Sequence, residues 1–214
     1  MRIRPAPTAA LAAALLAGLL PAAPPARAQD YKEQFKDEIH VKGAKGPSTG
    51  VEILSESYDR VEWKGKSGPA QNKTPAEILS LSYGDEPPPY TRGMDAWKSG
   101  RWSEAVTEFR AVADAVKAGR CRRFWEARAI AHAADAERRI ALKEKNPAKF
   151  LDAARSYEEA MKKDPKSPLL SMIGTGLAEA RALGGDWDGG LKALDELKAT
   201  AGAAGRPLWE AEAR

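Results

Sequence analysis

The sequence predicts a mainly helical protein: a short solenoid of helical hairpins preceded by a small all-β module. Three observations carry this. The phrase GRWSEAVTEF at residues 100–109 returns as GDWDGGLKAL at 185–194, with Gly first, Trp third and a large apolar residue seven places after the Trp. From about residue 90 the chain is rich in Ala, and its apolar residues fall at helical spacing. Between residues 37 and 84 Ala is scarce, and short alternating runs are punctuated by Gly and Pro.

The elements follow in chain order. Arg2 and Arg4 precede an apolar run at residues 9–20, and Ala26-Arg27-Ala28 forms a small-x-small site. That layout predicts a secretory signal peptide over 1–28, cleaved after Ala28. Its apolar run is shorter than the roughly 20 residues that span a bilayer. The expectation is export to the periplasm or exterior, with no stable membrane insertion after cleavage. The whole chain carries a net charge of +4, but 31 Lys and Arg face 30 Asp and Glu once the leader is set aside. A nearly neutral mature chain gives no argument for a nucleic-acid partner. The single cysteine, Cys121, has no second thiol for an internal disulfide.

A linker at 29–36 leads to the β module at 37–85. Strand-like runs are EIHV (38–41), GVEILS (50–55), RVEWK (60–64) and AEILSLSY (76–83), separated by turns at 42–47, 58–59 and 65–72. Glu86-Pro87-Pro88-Pro89 is a stiff joint, because proline fixes φ and disfavours helix in the residue before it. Helices are expected at 90–99, 103–117, 122–145, 147–163, 168–183 and 187–200, with Ser103 as a helix cap and Pro147 in a first turn. Residues 201–214 read as a loop and the start of a further helix at Pro207.

The repeated phrase marks a recurring hairpin. Gly100 permits the turn, Trp102 packs where the pair closes, Ala105 is small at the crossing, and Phe109 fills the space one turn later. Gly185, Trp187, Gly190 and Leu194 repeat the pattern, and Phe150, Ala153, Tyr157 and Ala160 supply a middle copy. Such pairs cannot bury their apolar faces alone and stack in series.

These residues resemble tetratricopeptide repeats over about 90–200, with Gly93, Ala141 and Ala178 as the small residues of the first helices and Pro165 as a terminal proline. The period is loose: Ala105 to Ala153 is 48 residues and Ala153 to Gly190 is 37. The resemblance implies that the first helices line a peptide groove, which places Tyr90, Met94, Trp97, Lys98, Arg138, Thr175 and Glu179 in it. Packing of Tyr90 and Trp97 on the β module is the competing expectation. The β module resembles SH3-like or Lsm-like folds, and the whole layout resembles envelope proteins of some bacteria with large genomes.

Little else in the sequence suggests chemistry. His40 and His132 have no partner at metal-ligand spacing. Arginines around Cys121 could activate the thiol, against a plain structural role. Gly174-Thr175-Gly176 lacks the Lys of a nucleotide loop. The expectation is therefore no enzyme, no catalytic residues, no metal and no cofactor. The expected work is protein–protein interaction, as an adaptor or assembly factor with a protein or peptide partner. The alternatives are an accessory domain of an envelope enzyme built on Asp37, Glu38, Glu52 and His40, or polymer binding through Trp63 and Tyr83.

Overall fold

The computed structural model describes residues 37–203; the expected signal peptide, the linker at 29–36 and the segment from 204 lie outside them. Five strands come first: β1 (Asp37–Val41), β2 (Ser48–Glu56), β3 (Val61–Lys64), β4 (Gln71–Lys73) and β5 (Ile78–Ser82), with a 3-10 turn at Pro75–Glu77 before the last. They form one antiparallel sheet of order β4-β3-β2-β1-β5. Alternation in the sequence becomes alternation across the sheet. Ile39, Val51, Ile53, Val61 and Trp63 turn inward and form its core. Trp63 is 5% exposed, so it is no platform for a polymer.

Six helices follow: α1 (Pro88–Lys98), α2 (Trp102–Lys117), α3 (Phe124–Glu144), α4 (Pro147–Lys163), α5 (Leu170–Leu183) and α6 (Trp187–Ala203). Each packs on the next in the chain, and α3 also meets both α1 and α5. The helix α1 begins inside the proline joint, with Pro88 and Pro89 in its first turn, where a missing N–H costs nothing. The helix α2 begins at Trp102, so Ser103 lies inside the first turn and no side chain caps that end. Asn146 caps α4, accepting from the amides of Ala148 and Lys149.

Four helices end in the same way. Gly100, Gly119, Lys145 and Gly185 take left-handed φ values of 73°, 65°, 52° and 94°. The next amide then reaches back to the carbonyls of Ala96, Ala115, Ala141 and Arg181, respectively. This satisfies carbonyls that the helix leaves unpaired. The turn at Gly100 and the turn at Gly185 are thus locally alike, as their shared phrase suggests. Lys145 makes the same turn without glycine.

The crossing positions also agree. Ala105 and Ala153 have no exposed surface, and a Cβ on Gly190 would lie 2.9 Å from the Ala178 carbonyl oxygen. Between successive hairpins Gly176 lets α5 approach α4, since a Cβ there would lie 2.4 Å from the Tyr157 ring. One expectation fails. Phe150 is buried and Trp102 half-buried, but Trp187 is 66% exposed. The last turn of α3 stands across a surface pocket from Trp102, and Gly184 at the end of α5 touches Leu151 beside Phe150. Among the described residues no helix lies beyond α6 to do the same for Trp187.

Candidate functional site

Trp97, Arg138 and Glu179, expected in one groove, are joined in series: the Asp135 carboxylate holds Trp97 of α1 and Arg138 of α3, and Arg138 reaches on to Glu179 of α5. The Trp97 Nε1–H donates to Asp135 Oδ2 at 2.7 Å, and Arg139 Nε donates to the same oxygen at 2.7 Å. Arg138 Nη2 donates to Oδ1 at 2.7 Å, while its Nη1 lies 2.8 Å from Glu179 Oε1. The Arg139 guanidinium also lies over the Trp97 indole, 4.9 Å from the ring centroid. Positions 135, 138 and 139 share one helix face because residues three and four apart are neighbours.

Burial by itself would raise the Asp135 carboxyl. Hydrogen bonds from Arg139, Arg138 and Trp97 outweigh it and hold the group below the usual carboxylate value. Beneath this layer His132 stacks on Phe109, with ring centroids 5.5 Å apart. Burial, only partly opposed by Asp135, pushes His132 down to about 4, so the imidazole is neutral at pH 7. The Arg138 Nε is buried without a hydrogen-bond partner among the described residues.

The other expected groove residues divide. Lys98 is exposed and has no ion pair among the described residues, and Met94 is half-buried against the first helical core. The Thr175 hydroxyl donates to the Ser171 carbonyl of its own helix at 2.9 Å. Tyr90 belongs to an aromatic cluster, with Trp125 at 4.8 Å and Phe109 at 5.7 Å, and burial pushes its hydroxyl up to about 12. Trp97 does not pack on the sheet; Tyr90 meets Trp125, which Tyr83 at the end of the sheet touches edge-on at 5.4 Å. Asp135 and Arg139 were not singled out from the sequence, although an acid spaced three and four from two arginines in an Ala-rich helix was legible there.

A second cluster locks the sheet to the helices. Asp37 is fully buried and its carboxylate accepts from the amides of Ile53 and Gly84. Both terminal nitrogens of Arg122 reach Asp37 at 2.9 Å, and its Nε reaches both oxygens of Asp85 at 3.0 Å. Such paired forks are the strongest geometry available to a guanidinium. One turn into α3, Arg128 pairs with Glu56 of β2 and donates to the Tyr83 hydroxyl, which itself donates to Glu56. A further strut joins the Tyr58 amide to the Lys166 carbonyl at 3.1 Å, between the β2–β3 turn and the α4–α5 loop.

These contacts decide between readings of the sequence. The basic run at residues 120–123 is split, because Arg122 turns into the lock. Cys121 is buried, and burial, reinforced by Asp85, pushes its thiol up to about 11 despite the flanking arginines. It is therefore not an activated nucleophile at neutral pH. Tyr83 is half-buried in the lock rather than displayed on the sheet surface, and burial raises its hydroxyl strongly. His40 lies in β1 opposite Ser80. Among the described residues no three His, Cys, Asp or Glu side chains stand together as a metal site, and no helix is long and apolar enough to cross a membrane.

The surface of α1, α3 and α5 thus offers fixed polar groups beside exposed Lys98, while the lock holds the sheet against the base of α3. In comparisons with known proteins, no family model, no curated protein and no solved structure matches the chain.

Proposed function

We propose that the chain is an exported tetratricopeptide-type interaction protein, an adaptor or assembly factor of the periplasm or cell envelope. Its partner segment lies along the shared face of α1, α3 and α5. The observation that carries this reading is the chain of contacts from Trp97 through Asp135 and Arg138 to Glu179, which fixes side chains from three hairpins on one surface. Preorganised side chains lose less entropy on binding than free ones. Lys98, Arg139 and Glu179 expose charge of both signs along the face, above the buried Asp135 and the half-buried Trp97. Such a face suits a partner segment that presents apolar groups and a carboxylate for Lys98. The sequence layout at 1–28, two arginines before an apolar run and a small-x-small site, supports the exported location.

The fold reading is an SH3-like module followed by a three-hairpin solenoid. In its support, β5 returns to pair with β1 after a 3-10 turn, and four helices share one terminating turn. Asp37 weakens the enzyme alternative, since its carboxylate already serves two amides and Arg122.

The test is affinity purification from an envelope fraction, comparing the wild-type chain with the Lys98→Glu variant. Lys98 is exposed and makes no ion pair among the described residues, so the melting temperature should move little. Loss of a partner that the wild type recovers supports the reading; equal recovery sinks it. Sequencing of the mature N-terminus checks export, with Gln29 expected first.

A further inference from the structure

A second surface lies at the far end of the helical array. Along α6, Trp187, Leu191, Leu194 and Lys198 fall at i, i+4, i+7 and i+11, one stripe of the helix. Trp187 is 66% and Leu191 63% exposed, the two most exposed large apolar side chains of the described residues. With Ala178 and Ala182 of α5 they line a shallow apolar groove of about 290 Å³. In the first two hairpins the corresponding flank has a following first helix beside it: the end of α3 faces Trp102 across a surface pocket, and the end of α5 meets Leu151. Here it stands open among the described residues. Adjacent exposed apolar groups of this size mark an interaction surface.

We infer that this stripe is the contact with a second copy of the chain, formed by two α6 helices packed antiparallel about a two-fold axis. The argument is self-complementarity, which a two-fold contact requires. With the axis between Lys192 and Ala193, Leu191 faces Leu194 of the copy and Trp187 faces Lys198 of the copy. Asp188 and Lys198 carry no ion pair among the described residues. They lie ten residues apart, at opposite ends of the apolar stripe, so the antiparallel register brings each beside its opposite charge in the copy. A parallel register would set like charges together. The antiparallel copy also takes the direction that a following first helix takes against a second helix in the array. The groove borders the face of α1, α3 and α5, since Thr175 and Glu179 line its α5 side.

Sedimentation of the full chain over a range of concentrations tests this. The wild type should pass from monomer to dimer. Leu191→Asp, on an exposed side chain, should weaken association more than about tenfold without unfolding the chain. Lys198→Asp should weaken it less, and adding Asp188→Lys should restore it. A wild type that stays monomeric at every concentration overturns the proposal. So does a dimer that Leu191→Asp leaves intact, or a charge swap that fails to restore association. Monomers in which Trp187 is shielded from quencher until residues 204–214 are deleted would assign the groove to that segment instead, and would also overturn it.

Discussion

Trp102 and Trp187 stand at the same place in two nearly identical turns, and the molecule treats them differently. Each opens a second helix two residues after a left-handed glycine. The backbone bonds of the two turns match, from Arg101 to Ala96 and from Asp186 to Arg181. Yet Trp102 is half-buried and Trp187 is 66% exposed. Turn geometry is a local property, set by a residue that tolerates positive φ. Burial is set by whatever comes to lie beside the turn. The same contrast holds for the two ends of the array. The front end is closed by buried ion pairs to the sheet and by seven neighbouring aromatic and imidazole rings. Among the described residues the back end packs mainly on α5, with Leu197 also clustering with Tyr58 and Met161.

The contrast can be tested from its largest consequence downwards. Arg122→Ala should strip the buried Asp37 and Asp85 carboxylates of their cation and cost about 3–5 kcal/mol in urea unfolding, since a buried charge left unpaired is expensive. A loss of less than about 1 kcal/mol would mean that the lock does not hold the front end together.

Acid should weaken the front end next. The folded His132 titrates at about 4 and the unfolded residue at 6.5. The unfolded chain therefore takes up the proton first, so the stability is whole above 6.5, falls as the pH drops below it, and is fully lost near 4. The complete effect is about 3 kcal/mol. Denaturation between pH 7.5 and 5.5 should show its onset, and His132→Phe should flatten that dependence.

The two tryptophans give the smaller and more direct comparison. Trp102→Ala should cost about 1–2 kcal/mol, less than a fully buried tryptophan because only part of the ring is covered. Trp187→Ala should change monomer stability by less than about 0.5 kcal/mol. Equal losses at the two sites would mean that Trp187 is buried in solution.

Much of the helical part was legible because its signals are short in range. Apolar spacing located all six helices within a few residues, and glycine gave away the shared turns at Gly100 and Gly185; Gly119 makes a third that was not read as one. The fourth, at Lys145, carried no such signal, because a left-handed lysine is not favoured by its own chemistry. The strands were readable from Val61 and Trp63, and from Val51 and Ile53, by alternation alone. The candidate face was half legible: Trp97, Arg138 and Glu179 came from the repeat resemblance, but Asp135, which anchors Trp97 and Arg138, did not. The lock was illegible. Asp37 and Arg122 are 85 residues apart, and no periodicity in the chain relates them.

By itself, the sequence determined the six helices, four of the five strands, the small residues at crossings and the glycine turns at Gly100 and Gly185, since these depend on φ, on side-chain volume and on spacing within a few residues; β4 fell in a stretch that read as a turn. Tertiary structure alone decided that Arg122 leaves the surface for Asp37, that Asp135 gathers Trp97, Arg138 and Arg139, and that one of two matching tryptophans remains in water. Those outcomes depend on which distant groups arrive at the same point, and on what then lies beside them to displace solvent.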